Sequence, residues 1–271
     1  MIIVFDTFGG LCNQIYDIQC GINFCIINNI RFTFRYCSFR NANLTSWYDE
    51  KFEKLFDISF LTKYNNLYIS YDNLNLNSEN TYNYQGERAI LLFTNDFLNE
   101  IKKINKEFIV FKQFWSIYKF QNIVDNIYPL ILPSKKLIKL YKKVKNKINN
   151  TNEEYNFIHY RYENDFTSHF NIIDVKDLKT IILTFKHKFK NPNFKIYVAT
   201  SNINELIDLN DNELRDTILT KNEKKLEGYN FEEKAFIDYM FGLHSNEVLG
   251  HSKSSFSHML NNFKNTSNYY D

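Results

Sequence analysis

Glycine and proline are scarce in this 271-residue chain, at 7 and 3 residues. That scarcity excludes collagen-like and low-complexity architectures. It also leaves little room for glycine-rich phosphate loops. No Gly-Lys-Ser or Gly-Lys-Thr is present, and Gly9-Gly10 lacks the third glycine of the dinucleotide fingerprint. An excess charge of one sign is missing too: 33 basic residues face 31 acidic ones, for a net charge of +2. No broad field for nucleic acid follows from that balance. The opening apolar run, Ile2-Ile3-Val4-Phe5, stops at Asp6, too short for a signal peptide or a membrane span. The chain therefore reads as cytoplasmic, or lumenal if an N-terminal segment has been removed. Cys12, Cys20, Cys25 and Cys37 are spaced neither as metal-ligand doublets nor as a disulfide framework. They read as reduced thiols packing as small apolar groups, and no metal is expected.

What is present is an ordinary globular balance, 44% hydrophobic and 24% charged, in a chain long enough for one large domain or two small ones. Aromatic residues reach 17%, mostly 26 Phe and 19 Tyr. The codons of Phe, Tyr, Asn, Ile and Lys are rich in A and T, so this bias reads as genomic composition rather than function. The glycosylation triplets at Asn43, Asn149 and Asn265 are expected by chance in so Asn-rich a chain.

Residues 2–5 form a short β-branched and aromatic run that ends in Asp6-Thr7-Phe8-Gly9-Gly10. Leu11, Ile15, Ile18, Ile22, Cys25 and Ile26 then recur at helical spacing. Residues 31–36 return to a strand-like pattern, which completes a βαβ opening. Residues 41–88 are polar, Asn-rich and poorly periodic, predicting long loops with short helices. Residues 108–112 read as a strand. Ser134 is placed to cap a helix whose apolar positions Leu137, Leu140, Tyr141, Val144 and Ile148 share one face; the lysine-rich opposite face reads as solvated. Residues 149–154 are the candidate linker. Beyond it, strands at 156–159, 194–200 and 247–249 alternate with helices at 174–189, 231–244 and 254–263, the pattern of a second parallel α/β lobe. The expected domains are 1–150 and 151–271.

Ligands of open α/β sheets bind at the carboxyl ends of strands, where loops and helix N-termini converge. Three segments have that placement. Phe8-Gly9-Gly10-Leu11-Cys12-Asn13-Gln14 offers close backbone approach and, in Asn13, both a donor and an acceptor; it also reads as a plain tight turn. Phe157-Ile158-His159-Tyr160-Arg161-Tyr162-Glu163-Asn164-Asp165 leaves an apolar strand for dense polar chemistry. Arg161 there can grip a diphosphate, or can simply pair with Glu163 or Asp165. Gly250-His251-Ser252-Lys253-Ser254-Ser255-Phe256-Ser257 puts hydroxyls at a helix start, an N-cap that can double as an anion seat.

Taken together, the Gly-Gly-Leu-x-Asn-Gln turn, the His-x-Arg strand end and the Ser-Ser-Phe turn resemble the fucosyltransferase superfamily that includes the protein O-fucosyltransferases. His159 to Asp165 is similar to the His-x-Arg-aromatic-Glu-x-Asp signature of the plant O-fucosyltransferase-like branch, which also contains rhamnosyltransferases. Phe236-Ile237-Asp238-Tyr239-Met240 followed by Ser245-Asn246-Glu247-Val248 is similar to that branch's Asp-Tyr segment. The resemblance implies an α/β GT-B fold, two Rossmann-like lobes with a donor-binding cleft between them, residues 1–150 on the acceptor side and 151–271 on the donor side.

It further implies an inverting, metal-independent glycosyltransferase that moves a deoxyhexose, fucose from GDP-fucose first, to a hydroxyl of a glycan or glycoprotein. Rhamnose or another nucleotide-linked sugar is the alternative, as is a non-catalytic nucleotide-sugar-binding module. By position, Arg161 and His159 hold the donor diphosphate, Asp238 contacts the nucleobase, and Ser254, Ser255 and Phe256 close around phosphates and base. Gly9 and Gly10 form the first turn, with Asn13 between donor and acceptor. Residues 8–14 contain no carboxylate, so the candidate bases are Glu163 and Asp165, with Asp17 a poorer one.

Overall fold

The computed structural model describes residues 1–41, 46–84, 95–117, 124–148, 153–201, 212–221 and 226–271. It divides into two units, one of residues 1–138 and 230–233 and one of residues 139–229 and 234–271. The candidate linker falls largely outside the described residues.

In the first unit, β1 (Ile2–Thr7) runs into α1 (Leu11–Asn28) and β2 (Arg31–Arg40), followed by β3 (Trp47–Lys51), β4 (Thr81–Tyr84), α2 (Asn95–Lys102), β5 (Phe108–Lys112) and α3 (Phe114–Ile117). The sheet order is β3-β2-β1-β5-β4, parallel except for the antiparallel β2–β3 pair. Every residue of β1 is buried, as a strand covered on both faces requires. The register slips between Phe5 and Asp6, where Phe5 faces Phe34 but Asp6 faces Tyr36. Arg35, the extra residue of this bulge, turns back to grip Asp6 with Nε–Oδ1 at 2.9 Å and Nη2–Oδ2 at 2.5 Å. The phenylalanines pack as a core: Phe34 lies 5.3 Å from Phe5 and 4.8 Å from Phe52, ring to ring.

α1 buries four polar side chains along its length, and each holds backbone. Asp17 accepts from the N–H groups of Phe8 and Trp115; Gln19 and Asn23 bond the backbone at residues 124–127. Gln14 closes the turn before the helix, as detailed below. These bonds offset the desolvation of backbone that the helix covers.

The second unit takes most of α4 (Lys135–Ile148), then β6 (Tyr155–His159), α5 (Asn164–Phe170), α6 (Leu178–Phe185), β7 (Lys195–Ala199), α7 (Asn212–Thr217), β8 (Ile218–Leu219), most of α8 (Phe231–His244), β9 (Val248–His251), α9 (Ser255–Lys264) and β10 (Tyr269–Tyr270). Its sheet, β10-β9-β6-β7-β8, is parallel throughout. β6 is the central strand and wholly buried. Ile158, Tyr160, Ile181, Ile182, Val198 and Leu249 form the core around it.

Several expectations need correction. Among the described residues of 41–88 are two strands, β3 and β4, besides short 3-10 turns at Phe52–Lys54, Ile58–Tyr64 and Tyr71–Asn73. Both are edge strands with no fully buried residue, so no alternation of apolar and polar residues marks them. The helix expected at 174–189 begins only at Leu178, where Asp177 accepts from the Thr180 N–H at 2.7 Å. Ser134 starts α4 through its carbonyl, which accepts from the Ile138 N–H. Its hydroxyl is buried without a hydrogen-bond partner among the described residues, so it is not the side-chain cap that the sequence predicts.

Candidate active site

The connections of a doubly wound sheet leave in opposite directions at one point, and the ligand crevice opens there. In the first unit this is the end of β1, between β2 and β5; in the second it is the end of β6, between β7 and β9. Two of the three candidate segments begin at these ends.

At the end of β1, Gly9 has φ +93, a conformation that glycine adopts without strain. A Cβ there would sit 3.1 Å from Asn13 Nδ2, so the missing side chain also makes room for Asn13. Gln14 locks the turn. Its amide donates to the carbonyls of Gly9 and Ser38, and its oxygen accepts from the Thr7 hydroxyl and the Ser38 N–H. The Ser38 hydroxyl accepts from the Gly9 N–H at 3.0 Å. Asp17, considered as a base, is fully enclosed. Burial pushes its pKa up against the N–H bonds from Trp115, Phe8 and Phe114 that favour its charge. Its place is structural, holding the turn from below.

At the end of β6, His159 is buried and its Nδ1 lies 2.9 Å from Ser257 Oγ. Its ring stands 4.4 Å from that of Phe256. Burial, reinforced by the positive charge of Arg161, drives its pKa well below the usual histidine value, so the imidazole is neutral. The Ser257 approach depends on Gly250: a Cβ on that residue would lie 2.3 Å from Ser257 Oγ. The strand end is pinned once more by Tyr270, whose hydroxyl donates to the His159 carbonyl at 2.6 Å and accepts from the Arg161 N–H at 2.9 Å.

Arg161 is held by its neighbours. Its Nη1 meets Glu163 Oε2 at 2.6 Å, and its guanidinium lies 5.0 Å from the Phe166 ring centre. The other Glu163 oxygen accepts from the Ser201 hydroxyl and N–H. Burial opposes the charge on Glu163, but Arg161 and Ser201 outweigh it and hold its pKa below the ordinary value. Glu163 is thus an ionised holder of Arg161. The side chain of Asp165 lies outside the described residues.

Ser254 caps α9, its hydroxyl accepting from the Ser257 N–H at 3.5 Å. Ser255 and Phe256 occupy the first helical positions, whose N–H groups have no acceptor within a helix. Asp238 is buried and committed: its Oδ1 accepts from the Tyr197 hydroxyl at 2.8 Å, and its Oδ2 pairs with Lys221. The structure therefore brings His159, Phe256 and Ser257 together, and Arg161 with Glu163. Sequence reasoning missed Ser257, Lys221, Tyr270 and, in the first unit, Arg40, whose Nε bonds Glu232 at 2.8 Å. Ser257 alone had a local signal, three positions after its cap; the others meet partners far away in the chain.

Among the described residues, no group of three or more His, Cys, Asp or Glu side chains is placed to hold a metal, and no helix is long and apolar enough to cross a membrane.

No family model matches the sequence, and no curated protein sequence matches it. The backbone does find relatives. POFUT1 in complex with GDP-fucose aligns over 99% of this chain and 97% of its own, at 11% identity and a TM-score of 0.64. The fold is that of the fucosyltransferases. The fucosyltransferase NodZ from Bradyrhizobium aligns over 95% of this chain and 91% of its own, at 13% identity and a TM-score of 0.56. A variant of Arabidopsis thaliana FUT1 in complex with GDP covers 98% of this chain and 69% of its own, at 9% identity and a TM-score of 0.56. The fucosyltransferase likeness places the two Rossmann-like units in the GT-B class. At these identities it speaks of fold, and residue roles rest on the geometry above.

Proposed function

We propose that this chain is a glycosyltransferase that moves a deoxyhexose, fucose from GDP-fucose first, to a hydroxyl of a glycan or protein, by an inverting route without a metal. The observation that carries the reading is the end of β6. There Glu163 fixes a mostly buried Arg161, and His159 ties the same strand end to the first turn of α9. A fixed guanidinium and the N-terminus of a helix are what a departing diphosphate requires.

In this mechanism Arg161 and the N–H groups of Ser255 and Phe256 neutralise the charge that grows on the nucleoside diphosphate as the glycosidic bond lengthens. The sugar gains oxocarbenium character, and the acceptor hydroxyl attacks the opposite face. Neutral His159 acts as a hydrogen-bonding post between strand and helix. Gly9, Gly10 and Asn13 take the acceptor side. Glu163 and Asp17 are both engaged, and of the carboxylates named from the sequence Asp165 is assigned the acceptor proton. Asp238, the residue proposed to meet the nucleobase, is held by Tyr197 and Lys221, so a base would have to share its carboxylate with them. A carboxylate can accept from the N–H edge of guanine or uracil, and GDP or GDP-fucose is held by the solved neighbours. Four free cysteines suit a reducing, cytoplasmic setting.

Thermal stabilisation by a panel of nucleotides and nucleotide sugars tests the reading, because a ligand of the folded state raises the midpoint. Stabilisation by GDP but not UDP supports fucose; UDP alone supports rhamnose. A binding module without turnover is favoured by one observation, the lack of a carboxylate in residues 8–14. Complete absence of donor hydrolysis and transfer, with binding intact, would establish it.

A further inference from the structure

The first unit carries a second feature, beside the Gly9 turn, that the donor chemistry does not use. Arg40 faces Trp47 and Ser38 faces Asp49 across the β2–β3 pair, and residues directly opposite share a face of the sheet. Ser38 is the residue that holds the Gly9 N–H, so Trp47 and Asp49 stand on the face of the turn. Phe8, within the turn, lies 5.2 Å from Trp47 ring to ring, and Lys112 Nζ lies 5.0 Å from the Phe8 ring centre. Lys112 in turn pairs with Asp49 at 2.8 Å. The Arg40 guanidinium sits 5.3 Å from the Trp47 ring centre, with one nitrogen 3.7 Å from where a Cβ on Gly10 would be.

Two properties of this cluster stand out. First, it is open: Trp47 is 37% exposed, and the side chains of Lys112 and Asp49 are 46% and 35% exposed. What sets Trp47 apart from a singly exposed apolar residue is its setting, with Phe8 against its ring and Arg40, Asp49 and Lys112 around it. Second, its charges cancel locally, Lys112 against Asp49 and Arg40 against the wholly buried Glu232. A surface without net charge offers nothing to a phosphate or an acidic peptide. It does offer an aromatic face and alternating donors and acceptors, the complement of a neutral ligand that is apolar on one face and rich in hydroxyls at its rim. A pyranose ring has that construction: its axial C–H groups meet the negative face of an aromatic ring, and its hydroxyls bond carboxylate and ammonium.

We infer that Phe8, Trp47, Asp49 and Lys112 form the acceptor subsite, and that the acceptor is a neutral oligosaccharide whose sugar ring stacks on Trp47 while its hydroxyls bond Asp49 and Lys112. This rests on the glycosyltransferase reading and narrows it, from a glycan or protein acceptor to a glycan.

The chain has two tryptophans, and Trp115 Nε1 is buried without a hydrogen-bond partner among the described residues. Trp115→Phe therefore forfeits no side-chain bond and leaves Trp47 as sole reporter. The experiment titrates Trp115→Phe with chitotetraose, cellotetraose, xylotetraose and mannotetraose while following tryptophan emission, and measures thermal stabilisation by GDP in parallel. The inference expects a saturable emission shift with at least one tetrasaccharide, weakened about tenfold or more by adding Asp49→Ala, with GDP stabilisation unchanged. If Trp115→Phe does not fold, wild type is compared with Trp47→Ala, and the saccharide response must be present in the first and lost in the second. GDP stabilisation with no response to any of the four sugars overturns the inference and leaves the donor reading standing. Sugar binding without any nucleotide binding overturns the donor reading instead.

Discussion

Arg161 and Glu163, two residues apart at the end of β6, form a 2.6 Å ion pair whose carboxylate is anchored a second time by Ser201. The arginine is thereby held in one orientation before any ligand arrives. Preorganised charge of this kind needs no rearrangement as the reaction proceeds. Replacing Arg161 by Ala is expected to lower the turnover of transfer by about 10²–10³-fold, the usual cost of removing one such donor. Arg161→Lys should recover only a small part, since an ammonium cannot make the planar two-point contact. Steady-state rates with GDP-fucose, alongside circular dichroism to confirm folding, measure both.

Glu163→Gln separates a positioning residue from a base. As a holder of Arg161, Glu163 affects donor affinity and rate together, so its loss should raise the donor KM and lower kcat while the shape of the pH profile stays the same. A base would instead take the acidic limb of the profile with it.

The same carboxylate affects stability against acid. Its folded pKa is lowered, so the unfolded chain binds the proton more readily, and the contribution is fully present above the unfolded value of about 4.5. It fades as pH falls through the lower folded value. Below about pH 4.5 the melting midpoint of wild type should drop more steeply than that of Glu163→Gln.

His251 acts in a higher window. Burial pushes its pKa down to about 4, among the rings of Tyr162, Phe166 and Tyr270. Between its unfolded value of about 6.5 and that folded value, the unfolded chain takes up a proton that the folded one refuses, so stability falls as pH drops. Thermal melts from pH 7 to pH 4.5 should show this slope, and His251→Phe should flatten it, although Phe forfeits the acceptor that Lys253 N–H uses.

Gly250→Ala should destabilise the second unit. The new Cβ would meet Ser257 Oγ at 2.3 Å and Cβ at 2.5 Å, so Ser257 must retreat and release His159. A cost of about 1–3 kcal/mol is typical of forcing an atom into a packed site. Thermal unfolding gives the loss directly, and weaker GDP binding should accompany it.

Much of this architecture could be read along the chain, for reasons visible in single elements. β1, the glycine turn and α1 announce themselves because a buried strand, a left-handed residue and a 3.6-residue period each leave a mark within a few positions. The His159 to Glu163 segment stood out because polar residues follow an apolar run without a gap. What stayed hidden depended on partners remote in sequence. Arg40 and Glu232 are 192 positions apart, and His159 and Ser257 are 98 apart, so no local pattern links them. The edge strands β3 and β4 were invisible because both of their faces meet solvent. Asp238 and Asp17 looked available as isolated carboxylates; only packing shows that Lys221 with Tyr197, and backbone N–H groups, already occupy them.

Calorimetric titration of GDP into wild type and Arg161→Ala tests the central claim most directly. The account predicts saturable one-site binding to wild type and at least tenfold weaker binding to the variant, with circular dichroism showing the variant folded at the titration temperature. Equal affinity in the two proteins, or no binding of GDP or UDP to wild type, would contradict it.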